Sequence, residues 1–388
     1  MDRLVSVVIP TKNRAELLRC SLRSALTQTW PAIEIVVVDD GSTDGTAAML
    51  ARDFPLVRAV RIDGPGGPSR ARNVGVARST GQWILFLDDD DLLHPEHVES
   101  LVRAAKGLPR KSVVFGRWRR FVQSGDLIGL GPSVCPPLSP SPYATIAELL
   151  SPSGEGTTWT SAGLWPRAVF DDVAWDETLT TNGDVDFVGR AMLAGYRIAG
   201  RRVGMAYYRM HDGPRVSGAD GVRSGGLRPD TIPHCSSLLS SASYRLKWSR
   251  LLRNHPQRSI WAPAMRDGFM SLLLSLVWLP PADPMLARLR EAYREWGGGS
   301  FYMTAPPRSR WKKAVAYCAL RIGGPRLLSA ALAFFPQSPH RSSLFAAIGP
   351  DAGIDCATIR RLSKLAKKPV STLQFVPTEG GKEVPAAI

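Results

Sequence analysis

The chain reads Trp83-Ile84-Leu85-Phe86-Leu87-Asp88-Asp89-Asp90-Asp91, an apolar run followed at once by consecutive carboxylates. The apolar run predicts a strand that is buried on both faces. Carboxylates packed this closely repel one another, and some would keep their protons unless a cation were near. Mg²⁺ or Mn²⁺ carrying a phosphorylated ligand is the natural cation, since such ions take few protein carboxylates and fill their shell with phosphate oxygens and water. A solvated loop whose aspartates cap the next helix is the alternative.

Strands and helices alternate along the first part of the chain. Hydrophobic periodicity predicts strands at residues 4–9, 33–38, 57–62, 83–87 and 112–118, and helices at residues 14–28, 43–53, 69–79 and 95–106. This alternation is typical of a parallel sheet with helices on both faces, whose ligands bind beyond the carboxyl ends of the strands. Residues 124–158 are rich in Pro, Ser and Gly, and they are predicted to form a long loop over such a site.

Two further segments place polar side chains at the same edge of the predicted sheet. Asp39 and Asp40 follow the second strand, where carboxylates can accept hydrogen bonds from a nucleobase N–H and from ribose hydroxyls. Arg72 lies in a helix start at residues 68–73, and an arginine matches the geometry of a phosphate. The structural alternatives are helix capping by residues 42–44 and a solvated basic helix start.

Taken together, these motifs resemble glycosyltransferase family 2. The motifs that carry the resemblance are residues 6–14, 38–45, 71–73 and 86–91, in the family's order within residues 4–220. The resemblance implies the α/β glycosyltransferase A fold, with a mostly parallel sheet flanked by helices, in a catalytic domain at residues 1–220. It also implies an inverting transfer of a sugar from a nucleotide-diphosphate sugar, a UDP-sugar by default, with Mn²⁺ or Mg²⁺ as cofactor. The acceptor would be a glycan or lipid-linked hydroxyl in cell-envelope or polysaccharide synthesis.

Carried over by position, the family motifs imply roles for individual residues. Those expected around the nucleotide are Pro10, Thr11, Arg14, Asp39, Asp40 and Arg72. The first three would border the base and ribose, the two aspartates would bind the base, and the last would approach the base or the diphosphate. Asp88 and Asp90 match the family's Asp-x-Asp pair at the donor and its metal, with Asp90 as the more direct metal ligand.

The second half of the catalytic domain is expected to supply the base. Residues 181–190 resemble the family's Glu-Asp-x-Asp helix start and place Asp184 at the position of the catalytic base. Gly183 replaces the usual Glu, which leaves the base assignment intact but puts the neighbouring acceptor contact in question. The alternative is helix capping, with Asp186 paired to Arg190 one turn later.

A Tyr-Arg-x-His stretch, which the family often contains, follows a later predicted strand at residues 208–211. Arg209 would neutralise the leaving group. His211 would ligate the metal or contact the diphosphate. A purely structural histidine is the alternative, because a lone histidine is often structural.

All of the excess charge lies after residue 220. The formal net charge is +15, and basic and acidic residues balance in residues 1–220. We divide the rest into a basic helical region at residues 221–370 and a disordered tail at residues 371–388; the helices are predicted at residues 240–253, 264–278, 285–296, 311–322 and 326–335. The charge, the tryptophans and an apolar stretch at 269–279 suit an anionic membrane surface. Packing on the catalytic domain or self-association are equal alternatives. Nucleic-acid binding is disfavoured, because no recognised motif accompanies the charge.

The compartment and the reaction class follow from further features. The odd, widely spaced cysteines and the lack of a signal peptide fit a cytoplasmic protein, with peripheral association at the inner face of the plasma membrane left open. A sugar nucleotidyltransferase is the enzymatic alternative, although residues 10–14 lack its Gly-rich phosphate loop. A non-catalytic scaffold with a decayed fold is the other alternative. A nicotinamide-binding domain is disfavoured, since no G-x-G-x-x-G follows the first strand.

Overall fold

The computed structural model of the chain describes residues 3–64, 66–125, 127–136, 146–147, 158–179, 182–211, 233–276, 282–298, 352–365, 375–378 and 382–385. The strands are β1 Val5–Thr11, β2 Ile33–Asp39, β3 Arg58–Arg61, β4 Trp83–Phe86, β5 Leu92–Leu93, β6 Ser112–Phe115, β7 Trp118–Ser124, β8 Leu127–Val134, β9 Gly163–Pro166, β10 Arg197–Gly200, β11 Ala206–Met210, β12 Phe375–Thr378 and β13 Lys382–Pro385. The helices are α1 Ala15–Leu26, α2 Thr46–Asp53, α3 Gly67–Arg78, α4 His97–Ala105, α5 Val169–Asp172, α6 Gly183–Leu193, α7 Pro233–Leu252, α8 Arg258–Ser275, α9 Pro284–Glu295 and α10 Ala352–Leu365.

A seven-stranded sheet forms the centre of the fold, in the order β10-β6-β9-β4-β1-β2-β3. The strands β4, β1, β2 and β3 run parallel, β9 is antiparallel to both β4 and β6, and β10 is parallel to β6. The expected α/β fold, a mostly parallel sheet flanked by helices, is therefore confirmed.

The register of the central strands brings the predicted motifs to one edge. Thr11, the last residue of β1, pairs with Asp39, the last residue of β2. On the other side of β1, Val8 pairs with Phe86. The four aspartates at residues 88–91, here called the acid run, therefore follow β4 beside the end of β1. The buried apolar runs of these strands therefore fix the positions of the polar residues that follow them.

The predicted strand at 112–118 is instead two strands in two sheets. A bend at Gly116 and Arg117 ends β6 and starts β7, which belongs to a second sheet of order β5-β11-β7-β8. A Cβ at Gly116 would lie 2.7 Å from the carbonyl oxygen of Val203, so only a glycine allows this close approach of backbone.

The predicted loop at 124–158 is wrong in its first part, because β8 lies there and pairs antiparallel with β7. Its glycines and proline hid the strand from the sequence pattern, and an edge strand tolerates both residue types.

The helices after residue 220 share the hydrophobic core of the central sheet. The tryptophans Trp248, Trp261 and Trp296 are buried in the same cluster as the strands β1 and β4. The predicted helices at 240–253, 264–278 and 285–296 correspond to α7, α8 and α9, whereas those at 311–322 and 326–335 lie outside the described residues. The apolar stretch of α8 is likewise occupied by packing, since Phe269 and Leu276 are fully buried.

Within the predicted disordered tail at 371–388, the structure describes two short strands. The strands β12 and β13 pair antiparallel there, from Phe375 opposite Pro385 to Thr378 opposite Lys382. Two short runs with β-favouring valines on either side of a Glu-Gly-Gly sequence are a hairpin signal, which the low overall hydrophobicity of the tail had masked.

None of the helices in the described part of the chain is long and apolar enough to cross a membrane.

Candidate active site

Two members of the acid run pair with cations at the sheet edge. Asp88 Oδ1 accepts a hydrogen bond of 2.7 Å from Nη2 of Arg72. Asp90 Oδ2 accepts one of 2.9 Å from Nη1 of Arg14 and lies 3.1 Å from Nε2 of His211. The structure thus brings together five of the predicted site residues around one short loop.

The other two members of the run are buried supports of this loop. Asp89 accepts hydrogen bonds from Thr11 Oγ1 at 2.7 Å and from Arg14 Nη1 at 2.8 Å, and burial raises its pKa to about 6 despite the arginine. Asp91 is fully buried, and burial together with its acidic neighbours raises its pKa well above the usual range. A desolvated carboxyl in such a position holds structure rather than substrate.

Asp91 is fixed by residues that the sequence analysis missed. Its carboxyl accepts hydrogen bonds from Trp159 Nε1 at 2.7 Å, from Ser161 Oγ at 3.0 Å and from the backbone N–H of Arg209 at 3.1 Å. The side chain of Arg209 in turn donates from Nε to the carbonyl oxygen of Asp90 at 2.9 Å. Arg209 therefore lies at the predicted site, locked to the backbone of the acid run.

The predicted base-binding residues have partners of their own. Asp39 accepts from the backbone N–H of Ser42 at 2.8 Å and from Arg61 Nη1 at 3.0 Å. Asp40 accepts from the backbone N–H groups of Gly66 at 2.7 Å and Gly67 at 3.1 Å. Both carboxylates hold the turns that border the edge; the structure places Asp40 against the loop before α3, next to the ends of the strands.

The predicted base Asp184 lies in the first turn of α6 and is half-buried. Burial raises the pKa of its carboxyl above the ordinary value, while the backbone N–H of Val185 and the charge of Arg72 partly offset this, and Asp88 raises it further. The guanidinium of Arg72 stacks 4.5 Å from the ring of Trp175 and bonds Asp88. The positive charge of Arg72 therefore acts both on Asp88 of the acid run and on the predicted base Asp184.

We expect the rate of sugar transfer to fall as the pH is lowered. The apparent pKa of this fall should lie above the ordinary aspartate pKa of about 4. Asp184 must be deprotonated to accept a proton, and its pKa is raised, so activity is present above that pKa and is lost as the pH falls through it. The measurement is the pH profile of kcat/KM. An acid limb at or below pH 4 would contradict the assignment.

The neighbouring Asp186 is structural, as the alternative interpretation of this segment had it. It is fully buried and accepts hydrogen bonds from Arg190 Nε at 2.7 Å, from Lys247 Nζ at 2.9 Å and from Trp248 Nε1 at 3.1 Å. Lys247 and Trp248 belong to α7, so this carboxylate ties the helix that carries Asp184 to the helical region.

Replacing Asp186 by Ala should destabilise the protein by about 1–3 kcal/mol, because the buried Trp248 N–H loses its acceptor. Lys247 loses one carboxylate partner and keeps the other, Asp176, at 2.6 Å. Urea denaturation measures the loss. Asp171→Ala, at an exposed carboxylate, is the matched control and should change stability little. Equal losses of the free energy of unfolding in the two variants would show that the contacts of Asp186 do not stabilise the fold.

The donor set fits a divalent cation only in part. Within the described ranges, no group of three or more His, Cys, Asp or Glu side chains could hold a metal. Asp90 and His211 nevertheless offer an oxygen and a nitrogen 3.1 Å apart, and Mn²⁺ or Mg²⁺ completes its shell with phosphate oxygens and water. Asp88 is turned towards Arg72 instead.

Comparison with known proteins agrees with the resemblance to glycosyltransferase family 2 that the motifs carry. The sequence model described as glycosyl transferase family 2 matches residues 6–144. The match over these residues confirms the resemblance that was found from the motifs.

Curated relatives match over about a quarter of the chain. The uncharacterized glycosyltransferase YibD of Escherichia coli is 38% identical over 104 residues, which are 26% of this chain and 30% of that protein. The succinoglycan biosynthesis protein ExoO of Rhizobium meliloti is 37% identical over 102 residues, 26% of this chain and 29% of that protein. The chain thus spans less than a third of the length of these relatives.

Solved structures cover more of the chain at lower similarity. TarS 1–349 of S. aureus in complex with UDP-GlcNAc is 17% identical, covers 99% of both chains and has a TM-score of 0.43. The mannosyltransferase PcManGT of Pyrobaculum calidifontis, with GDP-Man and Mn²⁺, is 16% identical, covers 95% of this chain and 89% of its own, and has a TM-score of 0.45.

Proposed function

We propose that the protein is an inverting glycosyltransferase that moves a sugar from a nucleotide-diphosphate sugar, a UDP-sugar by default, to an acceptor hydroxyl. The observation that carries the proposal is the placement of Arg72, which bonds Asp88 and acts on the charge of Asp184. The guanidinium of Arg72 thus lies beside the acid run, and its charge acts on the carboxylate of Asp184, whose pKa is raised by burial. These are the two groups that a direct displacement at an anomeric carbon requires.

In this proposal Asp184 accepts the proton of the acceptor hydroxyl as that oxygen attacks the anomeric carbon. The bond from that carbon to the diphosphate breaks in the same step, so the configuration inverts. The guanidinium groups of Arg72 and Arg209 stabilise the negative charge that develops on the leaving diphosphate. Asp40 and the end of β1, at Pro10 and Thr11, border the base and ribose.

The cofactor in this proposal is Mn²⁺ or Mg²⁺, held by Asp90 and His211 with Asp88 beside them. When bound, such an ion neutralises charge on the diphosphate. Arg14 Nη1 lies 2.9 Å from Asp90 Oδ2 and offsets the charge of that carboxylate, and His211 Nε2 lies 3.1 Å from the same oxygen.

The test is the release of nucleoside diphosphate from a panel of nucleotide sugars incubated with the purified chain and Mn²⁺. We expect one donor to be turned over at a rate well above the others. A sugar nucleotidyltransferase would instead make pyrophosphate from a nucleoside triphosphate and a sugar phosphate, and a scaffold protein would turn over nothing. Either outcome would contradict the proposal.

We further propose that the basic helical region brings the enzyme to an anionic membrane surface that carries a lipid-linked acceptor. The support is the charge of this region. Exposed arginines include Arg250 on α7, Arg253 directly after it and Arg294 on α9, whereas the tryptophans that the structure describes here, Trp248, Trp261 and Trp296, are buried. Attachment through this part of the region would therefore be electrostatic, and each exposed arginine contributes about 1 kcal/mol, falling with salt.

We expect the full chain to co-sediment with anionic vesicles at low salt, to be released at high salt, and to ignore neutral vesicles. Salt weakens the attraction because it screens exposed charges. Co-sedimentation at two salt concentrations measures this. Equal, weak association with both kinds of vesicle would contradict the membrane proposal and leave packing on the catalytic domain or self-association as the role of these helices.

A further inference from the structure

The helix α10 is fixed to the second sheet by a buried carboxylate. Asp355 accepts hydrogen bonds from Arg119 Nη1 at 2.5 Å and from Tyr207 Oη at 2.6 Å. All three residues are buried, and they belong to α10, β7 and β11. Because a buried charge is costly unless it is paired, these contacts determine where α10 lies.

The apolar side of α10 completes a small core of its own. Ile359 and Leu362 are buried against Phe121, Leu130 and other residues of the second sheet, in a cluster separate from the main core. Residues more than two hundred positions apart in the sequence therefore form one unit. The helix α10 lies well beyond residues 6–144, which match the family, whereas its partners Phe121 and Leu130 lie within them.

A chain of hydrogen bonds leads from this helix to the acid run. Ser363 Oγ donates to Gln123 Oε1 at 2.9 Å, and the same oxygen accepts from Arg209 Nη1 at 3.3 Å. The amide nitrogen of Gln123 donates to the carbonyl oxygen of Gly125 at 3.2 Å, which turns the amide oxygen towards the arginine. Arg209 then reaches the carbonyl oxygen of Asp90.

The guanidinium of Arg209 is thus held on several sides. It lies 4.7 Å from the ring centroid of Phe121, which packs under α10, and its exposed fraction is only 8%. A long side chain loses rotamer freedom when it is fixed in this way. The contacts of Arg209 therefore determine the position of its positive charge in the site.

We propose that Gln123 is a positioning residue for Arg209, and that α10 holds Gln123 in place, which makes this C-terminal helix part of the catalytic centre. The inference rests on the proposed function, in which Arg209 faces the leaving diphosphate. It predicts that changes at Gln123, which does not contact the acid run itself, alter the affinity for the diphosphate and leave the affinity for the nucleoside unchanged.

The test compares the affinities of the full chain for uridine diphosphate and uridine monophosphate, by calorimetry. Gln123→Leu keeps the size of the side chain but removes the acceptor, and it should weaken binding of the diphosphate about tenfold, with the monophosphate unchanged. Gln123→Asn keeps an uncharged amide acceptor, one methylene shorter, and should restore part of the affinity. A role in folding alone would shift both ligands alike and would not be rescued in this way.

The role of α10 is tested by combining changes at Ser363 and Gln123 in a double-mutant cycle. Ser363→Ala should weaken diphosphate binding in the same selective way and by less, and it should add nothing to Gln123→Leu, since both changes act on one chain of contacts. Lys364→Ala, at the exposed neighbouring position, is the matched control and should have no effect.

Two results would overturn the inference alone. One is an unchanged affinity of Gln123→Leu for the diphosphate, and the other is an equal loss for both nucleotides. If the losses of diphosphate affinity from the Ser363 and Gln123 changes added fully, α10 would not act through Gln123. A wild-type chain that binds neither nucleotide would contradict the proposed function, and this inference with it.

Discussion

Replacing Asp184 by Asn should reduce sugar transfer by about 10²–10⁴-fold while leaving donor affinity unchanged, because an amide forms hydrogen bonds but cannot accept the proton. The expectation follows from the first turn of α6, where the carboxylate lies beside Arg72 and has a raised pKa. The measurements are the transfer rate at saturating donor and the donor dissociation constant.

The control for this variant is Asp171→Asn, the same change at an exposed carboxylate. It should leave both quantities near those of the wild type. Should the Asp184 variant instead lose donor affinity and keep the transfer rate of bound donor, Asp184 would be a binding residue and the base would lie elsewhere.

Replacing Asp90 by Ala should lower activity by about 10²–10⁴-fold, since removal of a metal ligand costs several kcal/mol of transition-state stabilisation. The fold should survive, because Arg14 keeps its bond to Asp89 and the loop keeps its buried support at Asp91. Thermal unfolding checks the fold, and titration with Mn²⁺ checks the activity.

A chelator should bring the wild-type protein down to the activity of the Asp90 variant and should have no further effect on that variant. Full wild-type activity in chelator would refute the proposed metal role.

The central sheet was predictable from the sequence because local pattern determines it. The apolar runs that become β1, β2 and β4 are long enough to identify strands, and alternation with helices makes them parallel. Polar residues after such strands must then meet at one edge. The positions of Thr11, Asp39 and the acid run follow from that rule.

The division of labour within the acid run was not predictable. Four identical carboxylates follow one another, and the pattern does not say which are buried. The structure turns Asp88 and Asp90 towards cations at the edge, and it buries Asp89 and Asp91 under partners from distant segments. The partners of Asp91, Trp159 and Ser161, carried no motif in the sequence.

Features that depend on tertiary contacts were also missed. Pro263 made the second C-terminal helix look as if it began at residue 264, yet α8 begins at Arg258. Burial of Trp261 and Met265 on either side of the proline outweighs its lost hydrogen bond. The docking of α10 on the second sheet depends on Asp355, whose partners are more than a hundred residues away.

The most direct test of the central claim is the identity and configuration of the products. One reaction with a turned-over nucleotide sugar, Mn²⁺ and an acceptor is followed by phosphorus and proton NMR. The account predicts one nucleoside diphosphate for each new glycosidic bond, with the anomeric configuration opposite to that of the donor. Retention of configuration, or the formation of nucleoside monophosphate or pyrophosphate in place of the diphosphate, would contradict it.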